Sequence, residues 1–316
     1  MEYYFAPLEG VGGAEYRRAH RRHFPGVDKY YMPFVSPTQE HRFTPRELRN
    51  ISPEANEGVP AVPQLLTKNP VDFLWAAGEL KAMGYDEVNL NLGCPSGTVV
   101  TKGKGAGMLA DPGNLDRFLD EIFSKAEDPI SLKTRMGLTE PEEFGPLLEV
   151  FSKYPAARLI IHPRVREDYY KHPIRMEYFQ RAVQRYPGRL CYNGGLNTPG
   201  QIAAFSEAFP AVDQIMMGQG ILADPALCAK AKGLPAPGAD ALRAFHDELY
   251  HGYLAAFRSG RNTVFHMKEL WSYLSRSFEG GEKLFKQIKK AQDSAAYEAA
   301  VDQIFRTLPL RQEAAW

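Results

Sequence analysis

Three side chains that could take part in catalysis each lie at the end of a short apolar run. Cys94 lies in NLGCPSG, Lys133 in LKTRMG and His162 in IHPR. The asparagine, glycine and proline residues around Cys94 should place it on a loop, as a reactive thiol or as a small buried hydrophobe. Lys133 could form a Schiff base, balance the charge of an anionic cofactor or make an ordinary ion pair. His162 could be a core histidine or a ligand donor.

Two glycine-rich turns indicate a phosphate site. Gly194 and Gly195 follow an apolar run and Asn193, and Gly218 and Gly220 flank Gln219 after the next run. Glycines can simply make tight turns, but backbone N–H groups in such turns also bind phosphate. Because both turns follow the last two strand candidates, where barrels commonly bind phosphate, we favour a phosphate site over the turn interpretation.

Short apolar runs alternate with helical patterns over the first three quarters of the chain. The strand candidates are residues 3–6, 29–32, 61–65, 87–92, 130–134, 159–162, 190–192 and 214–217. The helical patterns are residues 14–22, 71–83, 114–124, 142–153, 176–186 and 199–208. This alternation predicts a (β/α)₈ TIM barrel, in which the residues that end the strands meet at one mouth and form the active site.

The alternation of apolar runs and helical patterns ends after the last strand candidate. Residues 233–238, GLPAPG, have the composition of a linker, and no strand signal follows them. Four amphipathic patterns do follow, at residues 241–257, 263–278, 281–292 and 295–307. The sequence therefore predicts a catalytic barrel domain over residues 1–234 and a small C-terminal helical bundle over residues 235–316.

The composition of the chain excludes several classes of protein. Lys+Arg and Asp+Glu are both 38 among 316 residues, so bulk charge gives no sign of a nucleic-acid or membrane partner. Three cysteines make no disulfide framework and no metal-ligand spacing, so we expect no metal. No leader or apolar span is visible, and we expect a cytoplasmic monomer that does not bind membranes.

Eight motifs, in order over residues 3–220, resemble those of the tRNA-dihydrouridine synthases, and the helical C-terminal part also fits that family's architecture. They are YYFAPLEGV, PQLL, VNLNLGCP, KGAGML, LKTRMG, IHPR, YNGG and MMGQG. NLGCP followed by KGAG is the most specific combination, because the other motifs are shared with other flavin-binding barrels. The resemblance implies an FMN-dependent oxidoreductase that reduces the C5–C6 double bond of selected uridines in tRNA, with NADPH as electron donor.

The resemblance also implies a role for individual residues. Pro7, Leu8 and Glu9 would line the flavin ring, Gln64 would hydrogen-bond it, and Lys133 would stabilise the negative charge of its reduced form. The ribityl phosphate would be held by His162, Asn193, Gly194, Gly195, Gly218 and Gln219. Cys94 would be the general acid, and Asn91 and Arg135 would contact the substrate nucleotide. The family usually has arginine at position 219, so one phosphate contact is expected to be weaker here unless Arg164 or another residue compensates.

Three other functions fit part of the sequence. Another FMN barrel, such as a dihydroorotate or enoate reductase, would share the lysine and the phosphate loops. A class I aldolase would use Lys133 as its Schiff base, and an RNA-binding module would keep the fold without turnover. Basic helical faces could contact tRNA phosphates, and only the resemblance assigns them to tRNA: Arg17, Arg18, Arg21, Arg22, Arg258, Arg261, Lys283, Lys286, Lys289 and Lys290.

Overall fold

The predicted apolar runs form parallel strands that surround a common axis. The structure, a computed structural model, describes residues 1–316. Its strands are β1 (Glu2–Phe5), β2 (Lys29–Tyr31), β3 (Ala61–Val62), β4 (Gln64–Leu65), β5 (Val88–Leu92), β6 (Ile130–Arg135), β7 (Leu159–His162), β8 (Leu190–Asn193) and β9 (Gln214–Met217). They form one sheet in the order β3-β2-β1-β9-β8-β7-β6-β5-β4.

The sheet closes into a barrel at Pro63. Strand β3 pairs with β2 on one side of this proline, and β4 pairs with β5 on the other. Proline has no N–H to donate to a ladder, so the third predicted strand is split in two. The Pro63 carbonyl still accepts a hydrogen bond from the Asn89 N–H at 2.9 Å. The predicted TIM barrel is confirmed, with its third strand in two short pieces.

Helices cover the outside of the barrel between the strands. They are α1 (Ala14–His23), α2 (Pro45–Ile51), α3 (Pro70–Ala82), α4 (Gly97–Val100), α5 (Pro112–Lys125), α6 (Phe144–Phe151), α7 (Met176–Arg185), α8 (Pro199–Ala208), α9 (Gln219–Ala223) and α10 (Leu227–Ala231). Helices α2, α4, α9 and α10 were not expected. The helical pattern at residues 142–153 starts with a 3₁₀ turn, Pro141–Glu143, before α6 begins.

Four barrel helices begin in the same way, with a polar cap followed by proline. Side-chain oxygens of Thr44, Asn69, Asp111 and Thr198 accept hydrogen bonds from the first-turn N–H groups of α2, α3, α5 and α8. Proline suits the first helical position because its N–H would be unpaired there and its φ is already helical. Each strand-to-helix connection is therefore set locally, and the strand ends are held in place at the barrel mouth.

A buried ion pair closes the N-terminal end of the barrel. Glu87 accepts hydrogen bonds from Arg158 at 2.5 Å, from Lys29 at 2.7 Å and from the Tyr31 hydroxyl at 3.0 Å. Burial opposes ionisation of Glu87, but Arg158 and Lys29 more than offset it, so the pKa of this carboxyl lies below its ordinary value. This cluster lies at the opposite end of the barrel from the catalytic candidates and is structural.

Replacing Glu87 by glutamine should destabilise the fold by about 3 kcal/mol, because Arg158 would remain buried without its counter-charge. Urea unfolding measures this loss, and Glu121→Gln, which breaks a surface pair with Lys125, should cost less than about 0.5 kcal/mol. Because the native pKa of Glu87 is lowered, its contribution is present at neutral pH and is lost as pH falls through that pKa. Equal unfolding midpoints for the two variants would contradict the structural role.

The C-terminal quarter is helical, as predicted. It contains α11 (Ala239–Phe257), α12 (Gly260–Leu274), α13 (Gly281–Lys290) and α14 (Ser294–Thr307), with a 3₁₀ turn, Ser275–Ser277, after α12. The hydroxyl of Tyr297 lies at the centre of this bundle, 2.7 Å from His246 Nε2 and 2.9 Å from Trp271 Nε1. Helix α11 packs on α1, where Phe245 meets Tyr16 edge to face at 5.6 Å.

This packing changes the interpretation of the first basic face. Arg17 is fully buried and donates to Asn56 Oδ1 and to the carbonyls of Gly12 and Asn50. Arg22 forms an ion pair with Glu248 of α11 at 2.5 Å. The expectation that Arg17 belongs to an RNA-binding face is therefore wrong, because its charge is used inside the fold. The lysines at 283, 286, 289 and 290 of α13 are all exposed.

No helix of the chain is both long enough and apolar enough to cross a membrane. No group of three or more His, Cys, Asp or Glu side chains is arranged to hold a metal ion.

Candidate active site

Cys94 lies just beyond the end of β5, on a loop that folds back over itself. The Cys94 carbonyl accepts a hydrogen bond from the Ala106 N–H at 3.2 Å. Gly105 has a φ of +56°, and a Cβ there would lie 3.0 Å from the Cβ of Cys94. The loop can close against Cys94 only with glycine at this position, which explains the pairing of NLGCP with KGAG.

The Cys94 thiol is partly buried and remains protonated at neutral pH. Burial raises its pKa, and nearby Glu9 adds to this effect, while the backbone of Ser96 and the cations Arg135 and Lys133 act against it. A thiol with a raised pKa keeps its proton until a strong base forms beside it. This property suits an acid better than a nucleophile, which needs the thiolate.

An amide network fixes the Cys94 loop to the barrel interior. Asn91 Oδ1 accepts hydrogen bonds from the Gly93 and Cys94 N–H groups at 3.1 and 2.9 Å. Asn91 Nδ2 donates to Gln64 Oε1 at 2.8 Å, and Gln64 Nε2 donates to Asn89 Oδ1 at 2.7 Å. Asn91 is buried, and most of its hydrogen-bonding capacity is used within the protein. In this structure Asn91 positions the thiol.

Lys133 projects from β6 into the barrel mouth without a counter-charge. No Asp or Glu side chain lies near enough to raise the pKa of Lys133. Burial, together with the neighbouring Arg135, lowers the pKa of Lys133 to about 8. Because a partly buried lysine normally has an anionic partner, this arrangement indicates a place for an anionic ligand.

His162 is a neutral imidazole with one free donor. Burial and the cations Arg135, Lys133 and Arg164 hold its pKa well below the ordinary value. Arg164 Nη1 lies 2.9 Å from His162 Nε2, and because arginine can only donate, Nε2 must be the acceptor. The proton of the ring is therefore on Nδ1, which makes His162 a donor.

The two glycine-rich turns lie beside His162, at the ends of β8 and β9. Gly195 has a φ of +61°, and a Cβ on either Gly194 or Gly195 would lie within 2.9 Å of Ile174 Cδ1. A Cβ on Gly218 would lie 3.3 Å from the Cβ of Ala6 at the end of β1. A side chain is disfavoured at each of these three glycines, and the backbones of both turns line a cleft.

This cleft collects most of the predicted cofactor residues. Its wall includes Pro7, Leu8, Lys133, His162, Asn193, Gly194, Gly195, Gly218 and Gln219. Glu9 and Gln64 are not part of the wall: Glu9 lies in a neighbouring pocket, and Gln64 lies in the amide network. Lys133 and Arg164 line the cleft, and no aspartate or glutamate side chain does, so the side chains of the cleft make it electropositive.

Arg135 joins the two loops at the rim of the cleft. Its Nε donates to the Gly93 carbonyl at 3.0 Å, and its Nη1 donates to the carbonyls of Val165 and Tyr169 at 3.1 and 3.0 Å. Its guanidinium also lies 5.4 Å from the centroid of the Tyr170 ring. Arg135 is almost completely buried, so it braces the Cys94 loop against the loop that follows β7.

Sequence reasoning missed two aromatic residues of the cleft, Tyr170 and Trp316. Tyr170 is 56% exposed at the rim, and its ring centroid lies 5.9 Å from that of His162. It follows IHPR by a few positions, and its place on a loop after a barrel strand could have identified it. Trp316 is 153 residues beyond Pro163 in the chain, and no local sequence signal connects it with the barrel mouth.

Comparison with protein families gives one clear match. The family model described as "Dihydrouridine synthase (Dus)" matches residues 4–308. Among curated proteins, the chain is 28% identical over 304 residues to a tRNA-dihydrouridine(16) synthase of Ralstonia nicotianae, covering 92% of each chain. It is 26% identical over 313 residues to the protein of that name from Pseudomonas putida, covering 93% of this chain and 94% of the relative.

Comparison with solved structures confirms the barrel fold. A structure of morphinone reductase in complex with tetrahydroNAD superposes with a TM-score of 0.52 at 13% identity. The superposition covers 76% of this chain and 89% of that chain. At such low identity the likeness concerns the fold alone.

Proposed function

This chain belongs to the dihydrouridine synthase family, and we propose that it reduces the C5–C6 double bond of uridine in tRNA with FMN as its cofactor and NADPH as electron donor. The observation that carries this proposal is the electropositive cleft at the barrel mouth, which brings together an unpaired Lys133 and two glycine-rich turns. The Cys94 loop lies at the same end of the barrel, after β5. The family match extends through the whole barrel and into the helical region.

The residues of the cleft fit a flavin mononucleotide. A phosphomonoester needs N–H donors and cations, and the end of the cleft formed by β7, β8 and β9 offers Arg164, the His162 ring and the backbone of both glycine turns. Arg164 is not paired with a carboxylate and would supply the charge that Gln219 lacks. Pro7 and Leu8 would form an apolar wall for the ring, with Lys133 facing its polar edge.

FMN, when bound, would supply a hydride to C6 of the uracil ring. Cys94 would then give its thiol proton to C5, so that one hydride and one proton together saturate the double bond. The raised pKa of the Cys94 thiol keeps this proton available at neutral pH, and the Asn91 amide holds the loop that carries it. The product is 5,6-dihydrouridine, and Cys94 is left as a thiolate that solvent reprotonates.

The remaining site residues would position the uracil base and the cofactor. Gln64 would hydrogen-bond the isoalloxazine through the amide hydrogen it does not use in the network, and Glu9 would lie at the outer edge of the ring. Arg135 and Asn91 would contact the target nucleotide, alongside the roles that they have in bracing the Cys94 loop. A uridine stacked inside tRNA must be extruded to reach this mouth, and Tyr170 at the rim offers it an aromatic surface.

The RNA-binding part of the proposal rests on exposed cations. The four lysines of α13 form one face, Lys283, Lys286, Lys289 and Lys290, and none of them has a carboxylate partner. Phosphate contacts of this kind give affinity without sequence information, so the position of the target is set by how the tRNA lies across the barrel and the helical region. We propose that residues 235–316 form the tRNA-binding domain of a cytoplasmic, metal-free monomer with a catalytic domain over residues 1–234.

An anaerobic absorption experiment tests cofactor binding first and the reaction with tRNA second. The purified chain should show a flavin spectrum, or acquire one with added FMN, and NADPH should bleach it. Unmodified tRNA should then restore the oxidised spectrum with formation of dihydrouridine, and position 16, which the two full-length relatives carry in their names, is the first to be mapped. A chain that binds no FMN would contradict the proposal.

The alternative functions give different results in the same experiment. Another FMN barrel reductase would be bleached by a nicotinamide donor and reoxidised by a small-molecule acceptor, with no response to tRNA. A class I aldolase would be trapped covalently at Lys133 by borohydride with its carbonyl substrate. An RNA-binding module would bind tRNA and give no reduction.

A further inference from the structure

The last residues of the chain run from the helical region back to the mouth of the barrel. We call residues 308–316 the tail strap. Leu310 pairs with Phe278 in an antiparallel bridge, and the Arg311 N–H donates to the Ser277 carbonyl at 2.7 Å. The Ala315 N–H donates to the Arg276 carbonyl at 3.0 Å. The strap is therefore fixed along residues 276–278 by backbone hydrogen bonds.

The strap is also fixed to the barrel. Lys230, in α10, donates to the Gln312 carbonyl at 2.7 Å, and the Ser277 hydroxyl donates to the Ala223 carbonyl at the end of α9. Ala314 is buried, with 7% of its surface exposed. Because α9 begins with Gln219 of the glycine turn after β9, the Ser277 contact connects the segment that holds the strap to a helix that starts in the wall of the cleft.

The strap ends with the Trp316 side chain in that wall. Trp316 lines the cleft together with Gly195, Gly218 and Gln219, and 47% of its surface is exposed. The Arg276 guanidinium lies 4.4 Å from the centroid of the Trp316 ring, which is close enough for a cation–π contact. About half of the Trp316 surface is therefore left uncovered by the protein at a polar cleft, where it is available to a bound ligand.

From this arrangement we infer that Trp316 forms the outer wall of the cofactor cleft, and that Arg276 positions its ring there. The inference rests on the proposed FMN site and adds a binding residue from outside the barrel. The aromatic ring covers the end of the cleft nearest to the glycine turns, excludes water from the bound ligand and slows its release. The helical region thus takes part in holding the cofactor.

The test is the affinity of the full-length apoprotein for FMN, measured by titration of FMN fluorescence. Trp316→Ala should raise the Kd for FMN by about tenfold, mainly through faster dissociation, whereas Trp316→Phe should retain most of the affinity. Arg276→Ala should give a smaller loss. The double variant should bind no more weakly than Trp316→Ala alone, because Arg276 acts through the Trp316 ring.

Phe265 provides a matched control in the same domain. It is 50% exposed on α12 and lies 5.7 Å from the Arg261 guanidinium, but it does not line the cleft. Phe265→Ala should leave FMN affinity unchanged. A second readout is tryptophan emission: FMN should quench the wild-type protein more strongly than Trp316→Phe, which still contains Trp75 and Trp271.

Three outcomes would overturn the inference. Unchanged FMN affinity in Trp316→Ala would show that the ring does not contact the ligand. Tighter binding in this variant would show that Trp316 occupies the place of the ligand. Wild-type protein that binds no FMN would overturn the proposed function together with this inference, whereas normal wild-type binding with an unaffected Trp316→Ala would overturn this inference alone.

Discussion

Cys94→Ala should lower the rate of dihydrouridine formation by about 10² to 10⁴, the usual contribution of a positioned general acid. The thiol lies on the loop after β5, and its raised pKa keeps it in the protonated form that an acid needs. The cleft that would hold FMN does not include Cys94, so cofactor content should not change. Rapid-mix measurement of tRNA-dependent flavin reoxidation gives the rate directly.

The neighbouring Ser96 provides the control. It is exposed on the same loop, and its hydroxyl contacts only Thr98, at 3.0 Å, so Ser96→Ala should react at the wild-type rate. NADPH should bleach both variants as fast as the wild type, because Cys94 has no role in that half of the reaction. Dihydrouridine formation at the wild-type rate in Cys94→Ala would exclude the thiol as the acid.

Lys133→Met should lower FMN affinity or the rate of tRNA reduction by at least about 10²-fold, because it removes the unpaired cation that faces the polar edge of the proposed flavin. The same change should stabilise the apoprotein. The pKa of Lys133 is about 8 in the fold and about 10.4 in an unfolded chain, so burying its charge costs stability below pH 8. This cost disappears as pH rises toward the unfolded pKa.

Two measurements therefore distinguish a ligand-binding lysine from a structural one. The melting temperature of apo Lys133→Met should exceed that of the wild type by several degrees at pH 7, and the difference should shrink toward pH 10. FMN titration should show the loss of affinity. Lys102→Met, which removes an exposed lysine from the Cys94 loop, should change neither quantity. A Lys133→Met apoprotein that melts below the wild type would indicate a structural partner for Lys133.

The fold could be predicted from the sequence because its signals are local. Each strand is a short apolar run, and several helices begin at a polar cap followed by proline, so hydrophobic periodicity and turn chemistry locate them within a few residues. The errors occur where local signals conflict. Pro63 divides a continuous apolar run into β3 and β4, and residues 142–153 begin as a 3₁₀ turn.

The candidate site could be predicted in part. In a parallel barrel every strand ends at the same mouth, so residues that follow the strands must be neighbours, and Lys133, His162 and the glycine turns do line one cleft. Arg17 shows where this reasoning fails. A run of arginines has the same pattern on an exposed helix and at a domain contact, and only the packing of α11 against α1 decides that Arg17 is buried.

The sequence by itself determined the order of strands and helices, the chemistry available at the barrel mouth and the family to which the motifs belong, because each of these depends on a few consecutive residues. Only the tertiary structure decided which groups use up their hydrogen bonds within the protein, as Asn91 does, and which remain unpaired, as Lys133 does. It also placed Trp316 in the wall of the same cleft as the glycine turns. Such contacts join residues far apart in the chain, and they depend on the balance of burial, charge and packing over the whole molecule.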